Sequence, residues 1–284
     1  MIIDFHTHTF PAKIAGNVIG KLQLLSRSRP YTDATPEGLQ ASMGEASIDY
    51  SVTLPVMTHP GQVEKLNTLA GQSMEQIRES GLIPFGGMHP DYENYKAELR
   101  RLRDMGVPGI KLHPAYQGVD FDDIRFLRIM DAANELGLII LAHSGMDIGI
   151  PGHNFTSVEH ILHVLKEIAP QKLVLAHMGG WDGWKDVEQY LAGAPLWMDT
   201  AFSLGPIEPA PGTERTPEES MMMTAEEFLR LARKHGTNRI LFATDSPWSS
   251  QPVYREYFRN MNLTAEEETA IMGENARELL GLCL

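Results

Sequence analysis

The amino-acid sequence predicts an α/β fold, a single (β/α)8 barrel over residues 1–284, and three observations carry that expectation. Short strand-length runs alternate with longer amphipathic, helix-length runs from end to end. The strand-like runs are apolar nearly throughout, as parallel strands buried on both faces are. There are eight of them, and no glycine-rich dinucleotide turn follows the first, which favours a closed barrel over an open doubly wound sheet. No linker or composition shift divides the chain, so one catalytic domain is expected.

The elements follow in order. Met1-Ile2-Ile3 opens strand one, which runs into Asp4-Phe5-His6-Thr7-His8. Side chains alternate along a strand, which puts His6 and His8 on one side with Asp4 in register behind them. Residues 11–35 read as irregular, 36–46 as helix and 51–56 as strand two. A long helix over 61–80 leads to strand three at 82–89, and a helix over 93–105 to strand four at 109–113. The helix over 122–136 repeats Phe126, Met130, Ala133 and Leu136 at three- and four-residue spacing. Strand five spans 138–143, a helix 156–168, strand six 173–177, a helix 181–192 and strand seven 196–201. A long polar, proline-rich loop precedes the helix over 224–235, strand eight covers 240–245, and a closing helix runs over 264–280.

Composition narrows the function. Hydrophobic content of 43% and charged content of 21% are ordinary for a globular enzyme. No apolar run approaches the ~18 residues that span a bilayer, and no secretory signal opens the sequence. A lone Cys283 rules out an intrachain disulfide and fits a reducing compartment, so a cytoplasmic location is expected. Net charge is −13, from 24 Lys+Arg against 37 Asp+Glu. The only basic run, Arg100-Arg101-Leu102-Arg103, falls on an outer helix, which argues against nucleic acid and anionic membrane as partners.

In a (β/α)8 barrel the C-terminal strand ends share one face, which carries the active site. His6 and His8 end strand one, Lys111 and His113 strand four, His143 strand five, His177 strand six and Asp245 strand eight. A lone His-x-His is a weak signal among 11 histidines, and each residue taken singly is more simply a satisfied core histidine or a rim charge. Seven such residues on one rim point to a metal site. His89 and His113 fit hydrogen-bonding support better than substrate contact. His59 and His153 sit in loops, and His160 and His163 belong to an outer helix and are rejected as ligands. Met221, Met222 and Met223 close a loop that suits a lid or dimer contact about as well as an ordinary surface loop.

Asp4-Phe-His-Thr-His8, Gly109-Ile-Lys-Leu-His-Pro114, Ala142-His143, Leu175-Ala-His177 and Phe242-Ala-Thr-Asp-Ser-Pro-Trp248 resemble the amidohydrolase superfamily. More narrowly they resemble its amidohydrolase-related branch, which includes the aminocarboxymuconate-semialdehyde decarboxylase type. Gly273-Glu-Asn-Ala276 is similar to that branch's closing-helix signature, so the resemblance spans the chain. It implies that His6, His8, His143 and Asp245 hold a divalent metal, zinc by preference. His177 is implied as either a second-metal ligand or the residue that orients and polarises water. Imidazoles and a carboxylate suit zinc independently. In binuclear members a carboxylated lysine bridges two metals, and Lys111 stands where that residue would. The other motifs side with the mononuclear branch, so one Zn2+ per chain and a free Lys111 that binds a substrate carboxylate are expected.

The expected activity is hydrolysis of a small molecule, metal-activated hydroxide attacking a carbonyl or related electrophile, with Asp245 as proton acceptor. The rival is non-oxidative decarboxylation at the same site. A non-catalytic metal-binding barrel and a nuclease rank below both. The long loop ahead of strand eight offers a surface for a homodimer.

Overall fold

The computed structural model describes residues 1–220 and 222–281, which leaves Met221 and Cys283 outside the described residues. All strand pairs are parallel. β1 (Ile3–Thr7) pairs with β2 (Tyr50–Thr53), and β2 with the first half of β3 (Leu82–Pro84). The second half of β3 (Gly86–Gly87) pairs onward to β4 (Gly109–Leu112). β5 (Ile139–Ala142), β6 (Leu173–Leu175), β7 (Trp197–Asp199) and β8 (Ile240–Leu241) follow in chain order. The ends of the run meet: Phe5 N–H donates to Phe242 O at 2.9 Å, Asp245 N–H to His6 O at 2.8 Å, and His8 N–H to Ser246 O at 2.7 Å. These bonds bring strand eight back to strand one, as the barrel requires.

One buried cluster, including Phe5, Val52, Ile83, Phe85, Leu141, Val174 and Leu241, fills the barrel. A larger one, including Leu112, Ile140, Leu175, Met198 and Phe242, lies between strands and helices, where Phe126, Ile129 and Met130 meet it. The helices start where their caps dictate. Thr224 with Glu227 and Thr264 with Glu267 form capping boxes, and Thr35 caps Pro36–Ala46. Gly273 in the closing helix lies against the start of strand one. A Cβ there would stand 2.2 Å from Met1 O, so only glycine allows that contact.

Three expectations change. The segment expected to be irregular contains a helix, Ala12–Ser26. Its exposed Ile14, Leu24 and Leu25 and its uncapped start at Pro11 obscure the amphipathic pattern. A helix at Gln251–Arg259 was also unforeseen, although Ser250 caps it and a proline occupies its first turn. Strands are also shorter than expected, and strand eight ends early as its backbone leaves the ladder. In strand eight, Ala243 N–H turns to Thr200 Oγ1 and Thr244 N–H to Asp4 Oδ1. The long loop packs back onto the barrel: Ser28 bridges Pro209, and Met223, buried, donates to Ser203 O. Among the described residues, no helix is long and apolar enough to cross a membrane.

Candidate metal centre

The register of β1 against β2 slips between Asp4 and Thr7, the stretch that carries His6 into the site. His6 and His8 reach the same side, as strand alternation predicts. Asp4 turns to strand eight, accepting from Thr244 Oγ1 at 2.6 Å, Thr244 N at 3.0 Å, Gln251 Nε2 at 2.8 Å and His6 N at 3.2 Å. His6 and His8 turn to the centre, with their Nε2 atoms 3.2 Å apart. Asp245 Oδ1 lies 3.2 Å from His8 Nε2 and 3.6 Å from His6 Nε2.

The partners of these rings fix their tautomers. His8 Nδ1 lies 2.8 Å from Leu54 O and His177 Nδ1 2.9 Å from Ala201 O. A carbonyl only accepts, so both protons sit on Nδ1 and each Nε2 carries its lone pair. His6 Nδ1 lies 2.8 Å from Asp199 Oδ2, which places its proton likewise. His177 Nε2 then accepts from His143 Nδ1 at 3.0 Å, leaving the lone pair on His143 Nε2, a buried atom without a hydrogen-bond partner among the described residues. Burial keeps His6, His143 and His177 neutral: it pushes His6 and His143 well below the ordinary imidazole range and His177 down to about 4.

Two facing lone pairs repel, and a divalent cation removes that repulsion. Four ligands at zinc distances of ~2.0–2.1 Å are spaced about 3.3 Å apart, close to the separations among His6, His8 and Asp245. A stand-in already occupies part of this position: the Lys111 Nζ lies 3.2 Å from His6 Nε2. Lys111 is buried, and burial lowers its pKa, opposed by Asp199 and Asp245. The residues present fit a divalent metal.

His143 does not join that group. With His113 and Asp147 it forms a second one, in which Asp147 Oδ2 lies 3.7 Å from His143 Nε2 and 3.6 Å from His113 Nε2. The two rings are stacked, 4.3 Å apart and 13° from parallel. Imidazole lone pairs lie in the ring plane, so stacked rings do not converge on a single ion. His113 Nδ1 also faces the Tyr116 amide at 3.4 Å as the cap of a short turn. The second group is therefore a poor metal cage. Burial raises the Asp147 carboxyl to about 6.

His177 and Asp245 both have φ in the left-handed region, +60° and +65°, which is costly for side chains with a Cβ and recurs at functional sites. Gly145, two residues past His143, lets the neighbouring loop approach, since a Cβ there would stand 2.2 Å from Trp181 N. His89 is buried and its Nδ1 accepts from Asp91 N at 3.1 Å. His59 caps a short turn, His153 pairs with Asp120, and His160 and His163 lie on the outer helix Val158–Glu167. Sequence reading missed Asp199 and Asp147. Asp199 was visible as an acid inside the apolar strand seven, whereas Asp147, in the loop after His143, carried no signal.

A comparison with curated proteins found no match. Among solved structures, an uncharacterised TIM-barrel protein from Bordetella bronchiseptica is similar at TM-score 0.76 and 18% identity, with 99% of this chain and 98% of that one covered. A dihydroxybenzoic acid decarboxylase from Polaromonas sp., solved with manganese and the inhibitor 2-nitroresorcinol, gives 0.69 and 14%, covering 99% and 97%. A 2-pyrone-4,6-dicarboxylic acid hydrolase assignment from Pseudomonas putida gives 0.63 and 18%, covering 100% and 98%. These likenesses establish the fold as a TIM barrel. The amidohydrolase family model matches residues 3–282, nearly the whole length, and with the barrel and the His6–His8–Asp245 cluster it shows that this chain belongs to the amidohydrolase family of enzymes.

Proposed function

We propose that this enzyme is a metal-dependent hydrolase of a small molecule, acting as one catalytic domain with one zinc ion per chain. The observation that carries this reading is the convergence of His6 Nε2, His8 Nε2 and Asp245 Oδ1, all within 4.8 Å of one another, with both histidine lone pairs turned inward. A divalent ion supplies Lewis acidity there and makes water more acidic. Asp245 takes the proton from the attacking water and delivers it to the leaving group. His177, whose Nδ1 is held by Ala201 O, offers its Nε2 lone pair to orient that water once the His143 N–H that occupies it turns away. Lys111, once freed from His6, binds a substrate carboxylate. His143 holds His177 through its Nδ1–H and supplies a further donor to the ion if its ring turns.

Decarboxylation is the second reading, favoured by the Polaromonas neighbour, which is named for that reaction and holds manganese. A net charge of −13 supports a small-molecule substrate over nucleic acid. We further propose a cytoplasmic location and a homodimer as the working form.

Elemental analysis combined with product analysis tests the reading. One zinc per chain and products that incorporate water are expected across a panel of lactones, amides and carboxylated aromatics. Carbon dioxide released without net hydrolysis establishes the decarboxylase, two metals per chain a carboxylated Lys111, and manganese a different resident ion.

A further inference from the structure

We propose that Asp199 is the positioning residue of this centre: its carboxylate holds His6 in the Nδ1–H tautomer and ties that ring to the backbone of His177. The part concerning metal affinity rests on the reading of His6 as a ligand; the part concerning the tautomer does not.

Asp199 ends β7 and is fully buried. Each of its oxygens has its own task. Oδ2 lies 2.8 Å from His6 Nδ1, while Oδ1 accepts from His177 N at 2.9 Å and from Ala201 N at 3.0 Å. A neutral imidazole has one N–H and one lone pair, so the atom bound at Nδ1 decides whether Nε2 can donate to a cation. An acceptor at Nδ1 leaves Nε2 bare; a donor there moves the proton onto Nε2 and closes it to ligation. His8 has a backbone carbonyl in this role, which no side-chain substitution removes. His6 depends on one side chain. The same carboxylate holds the amide of His177, at the start of a run in which His177, Met178 and Gly179 all have positive φ. One rigid group thus sets the spacing between a candidate ligand and the candidate water-orienting ring.

Asp199→Asn separates this role from a merely structural one. Its oxygen is retained by the two backbone amides, because the opposite orientation would set an NH2 group against two N–H donors. The NH2 group then faces His6 Nδ1 and cannot accept from it. The expected result in metal-free protein, read by nitrogen chemical shifts of labelled histidine, is His6 protonated at Nδ1 in the wild type and at Nε2 in the variant. Affinity for Zn2+, measured by chelator competition, is expected to fall ~10–100-fold, the usual consequence of removing a partner behind a ligand. The circular dichroism spectrum should be unchanged.

A wild-type His6 protonated at Nε2 overturns the proposal, and this measurement decides even if the variant fails to fold. An unchanged His6 tautomer in a folded variant also overturns it, whatever happens to affinity, since Asp199 would then only brace the backbone. If the wild type binds no metal, the functional reading falls, while the tautomer comparison still decides the role of Asp199.

Discussion

Asp4→Asn is expected to leave the metal-free protein at least as stable as the wild type at pH 7, although Asp4 is fully buried and accepts four hydrogen bonds. Burial raises its carboxyl from 3.8 to about 6 despite those bonds, so holding it ionised at neutral pH costs the folded state ~3 kcal/mol relative to the unfolded chain. Asparagine removes that cost. Its oxygen can serve the fixed amides of His6 and Thr244, and its NH2 group meets the two adjustable partners, the Thr244 hydroxyl and the Gln251 amide. Gln251 Oε1 is buried and has no partner among the described residues, so a flipped Gln251 accepts from the new amide. Imperfect pairing costs ~1 kcal/mol, leaving a net change between about 0 and 2 kcal/mol in favour of the variant. Asp4→Ala, by contrast, leaves two backbone N–H groups unpaired, at ~1–3 kcal/mol each, and should be destabilised. Urea unfolding from pH 7 to 4.5 measures both. A carboxyl raised on folding binds its proton more tightly in the folded state, so its contribution is fullest below 3.8 and is lost as pH rises through about 6. The advantage of the asparagine variant should therefore shrink on acidification. A measurable loss of stability at pH 7, or a difference independent of pH, would refute the reasoning.

His6→Ala and His8→Ala should each lower bound metal sharply while cooperative unfolding persists, since the core lies in the strands below them; full occupancy in the double variant contradicts the site. His177→Asn should retain the metal yet reduce turnover by orders of magnitude, whereas loss of one of two metals per chain identifies His177 as a ligand. The same variant alters acid stability in the metal-free protein. Folded His177 is protonated only near 4 against 6.5 when unfolded, so the wild type loses ~3 kcal/mol from this group as pH falls through that window and the variant does not. Asp245→Asn should reduce turnover at least ~100-fold with metal still bound, and near-wild-type turnover would leave Asp245 no proton-transfer role.

The barrel was legible in the sequence because strands buried on both faces leave an unmistakable apolar record, and Ile139–Ala142 and Leu173–Leu175 could hardly be read otherwise. Lys111 and the rim histidines stood out for the same reason, as polar residues where the pattern calls for Val or Ile. The limits of that logic follow from its period. Alternation predicts which side a residue faces, as it does for His6 and His8, and not which distant residue it meets there. Asp4 meets Gln251 and His6 meets Asp199, partners 247 and 193 residues away in sequence. Asp199 ends β7 two residues before the expected end of strand seven, and a buried acid there is as costly as a buried lysine in strand four and needs a partner for the same reason. Each of these carboxylates is held by donors from a strand or helix distant in the chain, so its meaning lies in the pairing.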